Sequence, residues 1–136
     1  MIKLSPHFTL DELCRSDTAA RLGIVNEPGF VERANLAFLT VHILEPARVQ
    51  LGAPITVTSG YRCPALNAAV GGVKNSRHMD GLAADLQCAD MKRLFNILAQ
   101  NKYVDMVLFE RSGGKQWIHV QTCIRPRNSS SFNYIR

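Results

Sequence analysis

The sequence predicts an α+β domain in which a small antiparallel sheet packs against helices. Three observations support this fold class. Apolar residues recur at helical spacing across the segment 30–44. A β-branched run at 55–59 lies between a proline and a glycine, as is typical of a strand. Farther along, two segments of alternating polarity flank Gly113 and Gly114, which predicts a β-hairpin.

Length and composition predict one domain over residues 1–136. A chain of 136 residues can bury one core but is short for two domains. Apolar residues make up 46% and charged residues 20% of the chain, which excludes disordered and collagen-like proteins. No apolar run approaches the roughly 18 residues of a membrane span, and the N-terminus lacks the apolar core of a secretory signal. We therefore expect synthesis in a cytoplasm without a signal peptide.

The helices of the first half can be placed from caps and spacing. Thr9 and Glu12 form a capping box, so a short helix should begin there. A long helix should start at residues 26–28 and end before Gly52, with a kink or an end at Pro46. Its predicted apolar face consists of Phe30, Val31, Ala34, Ala37, Phe38, Val41 and Leu44.

Strands and short helices follow. In order, we predict a strand at 55–59, a helix at 64–70, a strand at 82–87, a helix at 91–100 and strands at 104–109 and 117–121. Alternation places Ala83, Asp85 and Gln87 on one face of their strand. On the last strand it separates a face with Trp117, His119 and Gln121 from a face with Ile118 and Val120. The stretch 125–136 is polar and supports no assignment.

Four cysteines and a positive charge limit the classes of function. Cys14, Cys63, Cys88 and Cys123 form no Cys-x-x-Cys pair, which argues against a thiolate zinc knuckle and a disulfide framework. We expect them to be small buried apolar side chains. The net charge of +5 suggests an anionic partner, either nucleic acid or a bacterial wall polymer. A nucleic-acid binder would need aromatic residues interleaved with Lys and Arg on one face, and no such stripe is present.

Two histidines and one aspartate form a candidate metal site. His78 and Asp85, with Gly81 between them, can converge from a loop and the strand after it, and His119 can join them from an adjacent strand. Zinc accepts this set of nitrogen and oxygen ligands, and three protein ligands with one open position describe a catalytic site. Each residue alone has an ordinary structural role, as a hydrogen-bonded histidine or a turn-fixing aspartate. The joint pattern favours metal binding.

The segment from Ser76 to Asp85 has the pattern Ser-x-His-x-x-Gly-x-Ala-x-Asp. Ser-Gly-Tyr-Arg at 59–62 precedes it, and Trp-Ile-His-Val at 117–120 follows it. With these motifs the chain resembles the zinc D-Ala-D-Ala carboxypeptidase family, in the compact form found in bacteriophages and bacteria. That family shares the fold of its metal site with the hedgehog signalling domain. The likeness extends over almost the whole chain.

The resemblance implies a role for each motif residue. It implies that His78, Asp85 and His119 bind zinc, and that Arg62 polarises the scissile carbonyl or steadies its oxyanion. Arginine suits that role because it stays charged and presents a fixed fork of donors. Ser76 either binds substrate or fixes the loop before His78.

The general base is where the sequence departs from the family pattern. Many members have an acidic residue three positions before the second histidine, and this chain has Gln116, which cannot accept a proton from water. Glu110 is the strongest substitute and Asp80 the second. Glu110 shares the face of His119 if it lies opposite Trp117, and points away if it lies opposite Gln116.

The resemblance also implies a function. We expect a zinc metallopeptidase that hydrolyses stem-peptide bonds in bacterial peptidoglycan, as a D,D-carboxypeptidase or an endopeptidase. A monomeric, endolysin-like wall hydrolase is the favoured setting, released with a holin or carried by a virion. The alternative is a catalytically weak or inactive zinc-stabilised domain that binds cell wall or a protein partner, and Gln116 favours it.

Overall fold

The computed structural model describes residues 2–126 and 133–135. The elements in chain order are β1 (Lys3–Ser5), β2 (Phe8–Thr9), α1 (Leu10–Cys14), α2 (Asp17–Leu22), α3 (Phe30–Leu39), a π-helical turn (Thr40–Leu44), α4 (Glu45–Leu51), β3 (Thr56–Ser59), α5 (Pro64–Ala69), a 3-10 turn (Arg77–Asp80), β4 (Ala83–Gln87), α6 (Met91–Ala99), β5 (Val104–Ser112), β6 (Lys115–Thr122) and β7 (Asn133–Ile135). Within these segments no helix has both the length and the apolar character needed to cross a bilayer.

The main sheet has five strands in the order β3-β4-β6-β5-β7. Adjacent strands in this sheet are antiparallel, except that β7 runs parallel to β5. Strands β4 and β6 are adjacent although α6 and β5 lie between them in sequence. Strands β1 and β2 form a separate two-stranded ribbon. The predicted α+β class, with a small and mainly antiparallel sheet beside helices, is confirmed.

The two faces of the sheet differ as the alternation predicts. On β6, Ile118 and Val120 have no exposed surface and join the hydrophobic core. Leu94 and Leu98 of α6 belong to the same buried cluster. The other face of β6 carries the half-buried residues Trp117, His119 and Gln121. The core therefore covers one face of the sheet, and the candidate ligand His119 lies on the other face.

The predicted long helix is interrupted by a π turn. Helix α3 begins at Phe30 rather than at residues 26–28, and α4 ends at Gly52, whose φ of 69° lies in the left-handed region. Pro46 has no amide hydrogen, so it cannot donate to the carbonyl of His42 four residues earlier. The side-chain Nδ2 of Asn101 donates to that carbonyl at 2.8 Å. The chain thus passes Pro46 without leaving the helical path.

The predicted apolar face of this helix is wrong in part. Phe30, Val31 and Val41 are 88%, 62% and 49% exposed. Leu44 is buried as predicted, and the other buried apolar side chains are Leu36, Leu39, Ile43, Ala47 and Leu51. Both sets have helical spacing, so periodicity alone does not choose between them. The second set belongs to the same buried cluster as side chains of the sheet and of α6, and this shared packing determines which side is buried.

Three short elements were not predicted. Helix α2 is capped by Ser16, whose Oγ accepts from the Ala19 amide at 3.1 Å. The β1–β2 ribbon and β7 also went unassigned, the latter within the polar stretch 125–136. The four cysteines are free thiols, and each is half-buried rather than fully buried as expected.

The ribbon is attached to α4 through one carboxylate. Glu45 accepts hydrogen bonds from the Ser5 hydroxyl and from the backbone amide of His7 at 2.8 Å. Its other oxygen lies 2.6 Å from Nδ1 of His7. These contacts fix the N-terminal segment against the helix.

Candidate metal centre

His78 is held on the 3-10 turn by its backbone and by its ring. The Oγ of Ser76 accepts from the His78 amide at 3.2 Å, and the His78 carbonyl accepts from the amide of Arg62 at 3.1 Å. The ring is buried, with Nδ1 2.8 Å from the carbonyl oxygen of Gly60. Because a carbonyl can only accept, Nδ1 carries a proton, and Nε2 is the nitrogen that faces Asp85.

Asp85 lies on β4 between the two imidazoles. Its Oδ1 is 3.0 Å from Nδ1 of His119 and 3.4 Å from Nε2 of His78. Its Oδ2 is 3.5 Å from Nη2 of Arg62. Burial would raise the pKa of this carboxyl, but hydrogen bonds from His119 and His78 outweigh it and hold the pKa below its ordinary value. Asp85 is therefore an anion surrounded by nitrogen donors.

His119 lies on β6 directly opposite Asp85. Its Nε2 is 2.8 Å from the side-chain oxygen Oε1 of Gln121. Burial lowers the pKa of the imidazole, but the hydrogen bonds with Asp85 and Gln121 outweigh this effect and leave the pKa above its ordinary value. Both ring nitrogens thus have defined partners.

The donor set fits a tetrahedral zinc ion. One ligand atom from each of His78, Asp85 and His119 lies within 4.8 Å of the other two. A tetrahedral ion with bonds of about 2.1 Å needs ligand atoms about 3.4 Å apart. The separations of 3.0 and 3.4 Å between Asp85 Oδ1 and the two ring nitrogens are close to that value. These three residues, predicted as ligands, therefore meet at one point.

Arg62 approaches the same carboxylate from the segment that follows β3. Its Nε donates to the Oγ of Ser59 at 3.1 Å and its Nη1 donates to Oδ1 of Asn67 at 3.3 Å. Burial lowers the pKa of the guanidinium, while the charges of Asp85 and Glu110 oppose that shift. Three directions of the donor fork are occupied, so the guanidinium is fixed beside Asp85.

Glu110 lies on the metal-facing side of the sheet. It pairs with Trp117 across the β5–β6 hairpin, which is the register that puts it on the face of His119. Its charge acts on the centre, since it contributes to raising the pKa of His119. Gln116 pairs with Arg111 and lies on the opposite face. An acidic residue at position 116 would therefore face away from the three ligands in this sheet.

Asp80 and Ser76 lie on and before the 3-10 turn that carries His78, whereas Glu110 lies on the sheet. Asp80 is more than half exposed, and its Oδ2 is 3.9 Å from Nη1 of Arg77. It therefore faces solvent on the turn that carries His78. The Oγ of Ser76 caps this turn, which agrees with the second of the two roles considered, that of fixing the loop.

Gly60 was not identified from sequence as part of the site. A Cβ there would lie 2.1 Å from the carbonyl oxygen of Leu13, so only glycine allows β3 to approach α1 this closely. The amide of Tyr61 donates to the same Leu13 carbonyl at 2.7 Å. This contact places the Gly60 carbonyl that orients His78. The Ser-Gly-Tyr-Arg motif includes this glycine, but it does not reveal that the Leu13 carbonyl is the group that approaches it.

Asn26 was also missed. Its Nδ2 donates to the carbonyls of Cys14 and Tyr61 at 2.8 and 2.9 Å, and its Oδ1 accepts from the amide of Cys63 at 2.7 Å. One side chain thus joins the end of α1 to both sides of Arg62. A lone asparagine in a loop gives no signal of this role.

Comparisons with known proteins agree with this geometry. A family model described as Peptidase M15 matches residues 6–121, a range that includes all three ligand candidates. Over 81 residues the chain is 43% identical to a protein named zinc D-Ala-D-Ala carboxypeptidase from Streptomyces albus G. That alignment covers 59% of this chain and 31% of the relative, so the chain spans about a third of the relative's length.

Proposed function

The chain belongs to the peptidase M15 family, and from that membership we propose that it is a zinc-dependent peptidase acting on peptide bonds of bacterial peptidoglycan. The observation that carries the proposal is the meeting of His78, Asp85 and His119 with ligand atoms within 4.8 Å of one another. Two neutral nitrogen donors and one carboxylate leave a zinc ion with net positive charge. Bound there, zinc would supply Lewis acidity toward water and a carbonyl oxygen.

Glu110 is proposed as the general base. Its carboxylate shares the face of His119, as the pairing with Trp117 requires. From there it takes a proton from the attacking water and later gives it to the leaving amine, so that one group serves as base and then as acid. Asp80 is a weaker candidate because its side chain is more than half exposed beside Arg77.

Arg62 is proposed to steady the oxyanion of the scissile carbonyl. Its bonds to Ser59 and Asn67, together with the contact to Asp85, fix the plane of the guanidinium before substrate arrives. A fixed donor stabilises charge that develops in the transition state without having to reorganise. The remaining N–H groups of the fork are the ones available to substrate.

The proposed substrate is the stem peptide of peptidoglycan, cut as a D,D-carboxypeptidase or as an endopeptidase. Two features support this choice: the name of the Streptomyces relative and the net charge of +5, which suits an anionic wall. An endolysin-like setting in a bacteriophage, with release through a holin or delivery by a virion, belongs to the same proposal. It is supported by the resemblance of the motifs to the compact phage and bacterial form.

Digestion of purified sacculi tests the proposal. The protein should release peptide fragments, lose this activity in excess chelator and regain it when zinc is added back. Mass spectrometry of the muropeptides then identifies the bond that is cut. Intact sacculi after prolonged incubation with zinc-loaded protein would contradict a peptidase function.

The alternative is a zinc-stabilised domain that binds wall without cutting it. Gln116 suggested it, but Gln116 lies on the opposite face from His119, so its identity does not bear on the chemistry of the metal face. Zinc-dependent sedimentation with intact sacculi, without release of fragments, would favour this alternative.

A further inference from the structure

We propose that Gln121 is a positioning residue, whose side-chain oxygen holds the ring of His119 so that Nδ1 faces the metal site. The inference rests on the proposed zinc site. Gln121 lies two residues after His119 on β6, so strand geometry puts both side chains on one face. The contact between Nε2 of His119 and Oε1 of Gln121 is 2.8 Å long.

The argument follows from the two nitrogens of the ring. Nδ1 of His119 lies 3.0 Å from Oδ1 of Asp85, and Nε2 lies on the Gln121 side. A neutral imidazole has one N–H and one lone pair. If Nδ1 gives its lone pair to a metal shared with Asp85, the proton must be on Nε2. The amide oxygen of Gln121 is then the acceptor that this N–H requires.

The acceptor is neutral, and this matters. An amide oxygen accepts the N–H without competing for the proton, so it selects one tautomer and keeps the ring as a neutral ligand. His78 has a matching arrangement, in which Nδ1 faces the carbonyl oxygen of Gly60 at 2.8 Å. Both imidazoles are therefore oriented by neutral oxygens. Of these two oxygens only the one at position 121 belongs to a side chain, so only that one can be removed by mutation.

Zinc affinity is the first test. The zinc dissociation constant of Gln121→Leu, measured by competition with a chromophoric chelator, should be about 10- to 100-fold higher than that of the wild type. Gln121→Glu keeps an acceptor oxygen at the same reach and should bind zinc more tightly than Gln121→Leu. Gln87→Leu is the matched control, since the Nε2 of Gln87 donates to the Gln116 carbonyl rather than to a ligand. It should bind zinc as the wild type does.

The tautomer of His119 is the second test, because a merely structural role would not change it. In the zinc-loaded protein, long-range ¹H–¹⁵N spectra should show His119 protonated at Nε2, with a slowly exchanging hydrogen. Exchange should become fast in Gln121→Leu and stay slow in Gln87→Leu. Gln121→Met, which keeps the length without the acceptor, replaces Gln121→Leu if the latter does not fold.

Two results would overturn the inference. One is a folded Gln121→Leu or Gln121→Met protein whose zinc dissociation constant is within twofold of the wild type. The other is a wild-type protein that carries the His119 proton on Nδ1 when zinc is bound. Neither measurement uses turnover. If zinc binding depends on Gln121 but the protein leaves sacculi intact, the inference holds and the peptidase function is refuted. If Gln121→Leu cleaves sacculi normally and binds zinc with unchanged affinity, the peptidase function holds and the inference is refuted.

Discussion

A carboxylate that is 8% exposed and lies within 3.5 Å of three nitrogen-bearing side chains needs positive charge beside it to be stable. Asp85 is in this position. Arg62 supplies one charge from the side, but Oδ1 faces two imidazoles whose neutral forms carry none. A cation between Asp85 and the two rings would balance the charge. At the scale of single residues, the site is therefore built for a metal ion.

Removal of any one ligand should abolish tight zinc binding. His78→Ala, Asp85→Ala and His119→Ala each leave two protein ligands, too few to hold the ion against solvent. Elemental analysis of the folded, purified variants measures the metal content directly. Full occupancy in any of them would show that the ligand assignment is wrong.

Replacement of the proposed base should reduce turnover and spare the metal. Glu110→Gln keeps size and polarity but cannot accept a proton, so cleavage of sacculi should slow by about a hundredfold or more. Zinc content should not change. Asp80→Asn is the control and should cleave at nearly the wild-type rate. If the slow variant is Asp80→Asn instead, the base lies on the turn beside His78.

The candidate ligands could be named from sequence, whereas their hydrogen-bond partners could not. Short spacing joins His78 to Asp85, and alternation puts His119 on a defined face, so local rules suffice for both. The face of Glu110 depends on a register that sequence leaves open by one residue. The partner of His78 is a backbone carbonyl, which has no side-chain signature.

At the scale of elements, the contact of α1 with β3 determines where the His78 ring lies. Gly60→Ala should lower the free energy of unfolding by about 3 kcal/mol, because the new methyl group overlaps the Leu13 carbonyl. It should also weaken zinc binding, since the Gly60 carbonyl must move. Denaturant unfolding and chelator competition measure the two effects.

Gly52→Ala separates backbone strain from steric overlap. A Cβ at Gly52 meets nothing within 4 Å, but the φ of 69° disfavours any residue with a side chain. Its loss of stability should be about 1 kcal/mol, with zinc affinity unchanged. A Gly60→Ala protein no less stable than Gly52→Ala would contradict the close approach.

Asn26→Ala should be more destabilising than its exposure suggests. The variant leaves two carbonyls and one amide without their side-chain partner, and the loss should be about 2 kcal/mol. Asn96→Ala, on the exposed side of α6, removes an asparagine at a site with better propensity for alanine and should not destabilise. Equal stability of both variants would argue against a stabilising role for the hydrogen bonds of the Asn26 side chain.

Elements with strong local signals were predicted and elements that depend on packing were not. The capping box of Thr9 and Glu12 and the hairpin at Gly113 and Gly114 are local, and both are present. The buried face of α3 is chosen by its neighbours, and β7 by its pairing with β5. Residue spacing alone therefore predicts neither the buried face of α3 nor the pairing of β7.

At the scale of the whole molecule, one contact should contribute to acid sensitivity. Burial raises the pKa of Glu45, but hydrogen bonds from Ser5 and His7 outweigh it, so the folded pKa lies below the ordinary value of 4.5. The folded state then binds this proton less tightly than the unfolded state. The contact stabilises the fold above about pH 4.5, and this contribution is lost as the pH falls through the folded pKa.

Glu45→Gln should therefore be less stable than the wild type at neutral pH, and the two should converge in acid. Denaturant unfolding over a pH series, with chelator present in both samples, measures the difference. A difference that stays constant down to pH 3 would show that ionisation of Glu45 does not contribute.

The fold class followed from the sequence because helical and alternating segments are well separated along the chain. The strand order did not, since pairing of β4 with β6 joins segments that are distant in sequence. Nothing local to either strand specifies that partner.

That same pairing has a consequence for protein synthesis. His78 and Asp85 leave the ribosome well before His119, and the sheet cannot bring the three together until α6, β5 and the hairpin have also been made. A nascent chain therefore has no complete three-residue site until β6 has been made. Products truncated before His119 lack the third candidate ligand and cannot form this site.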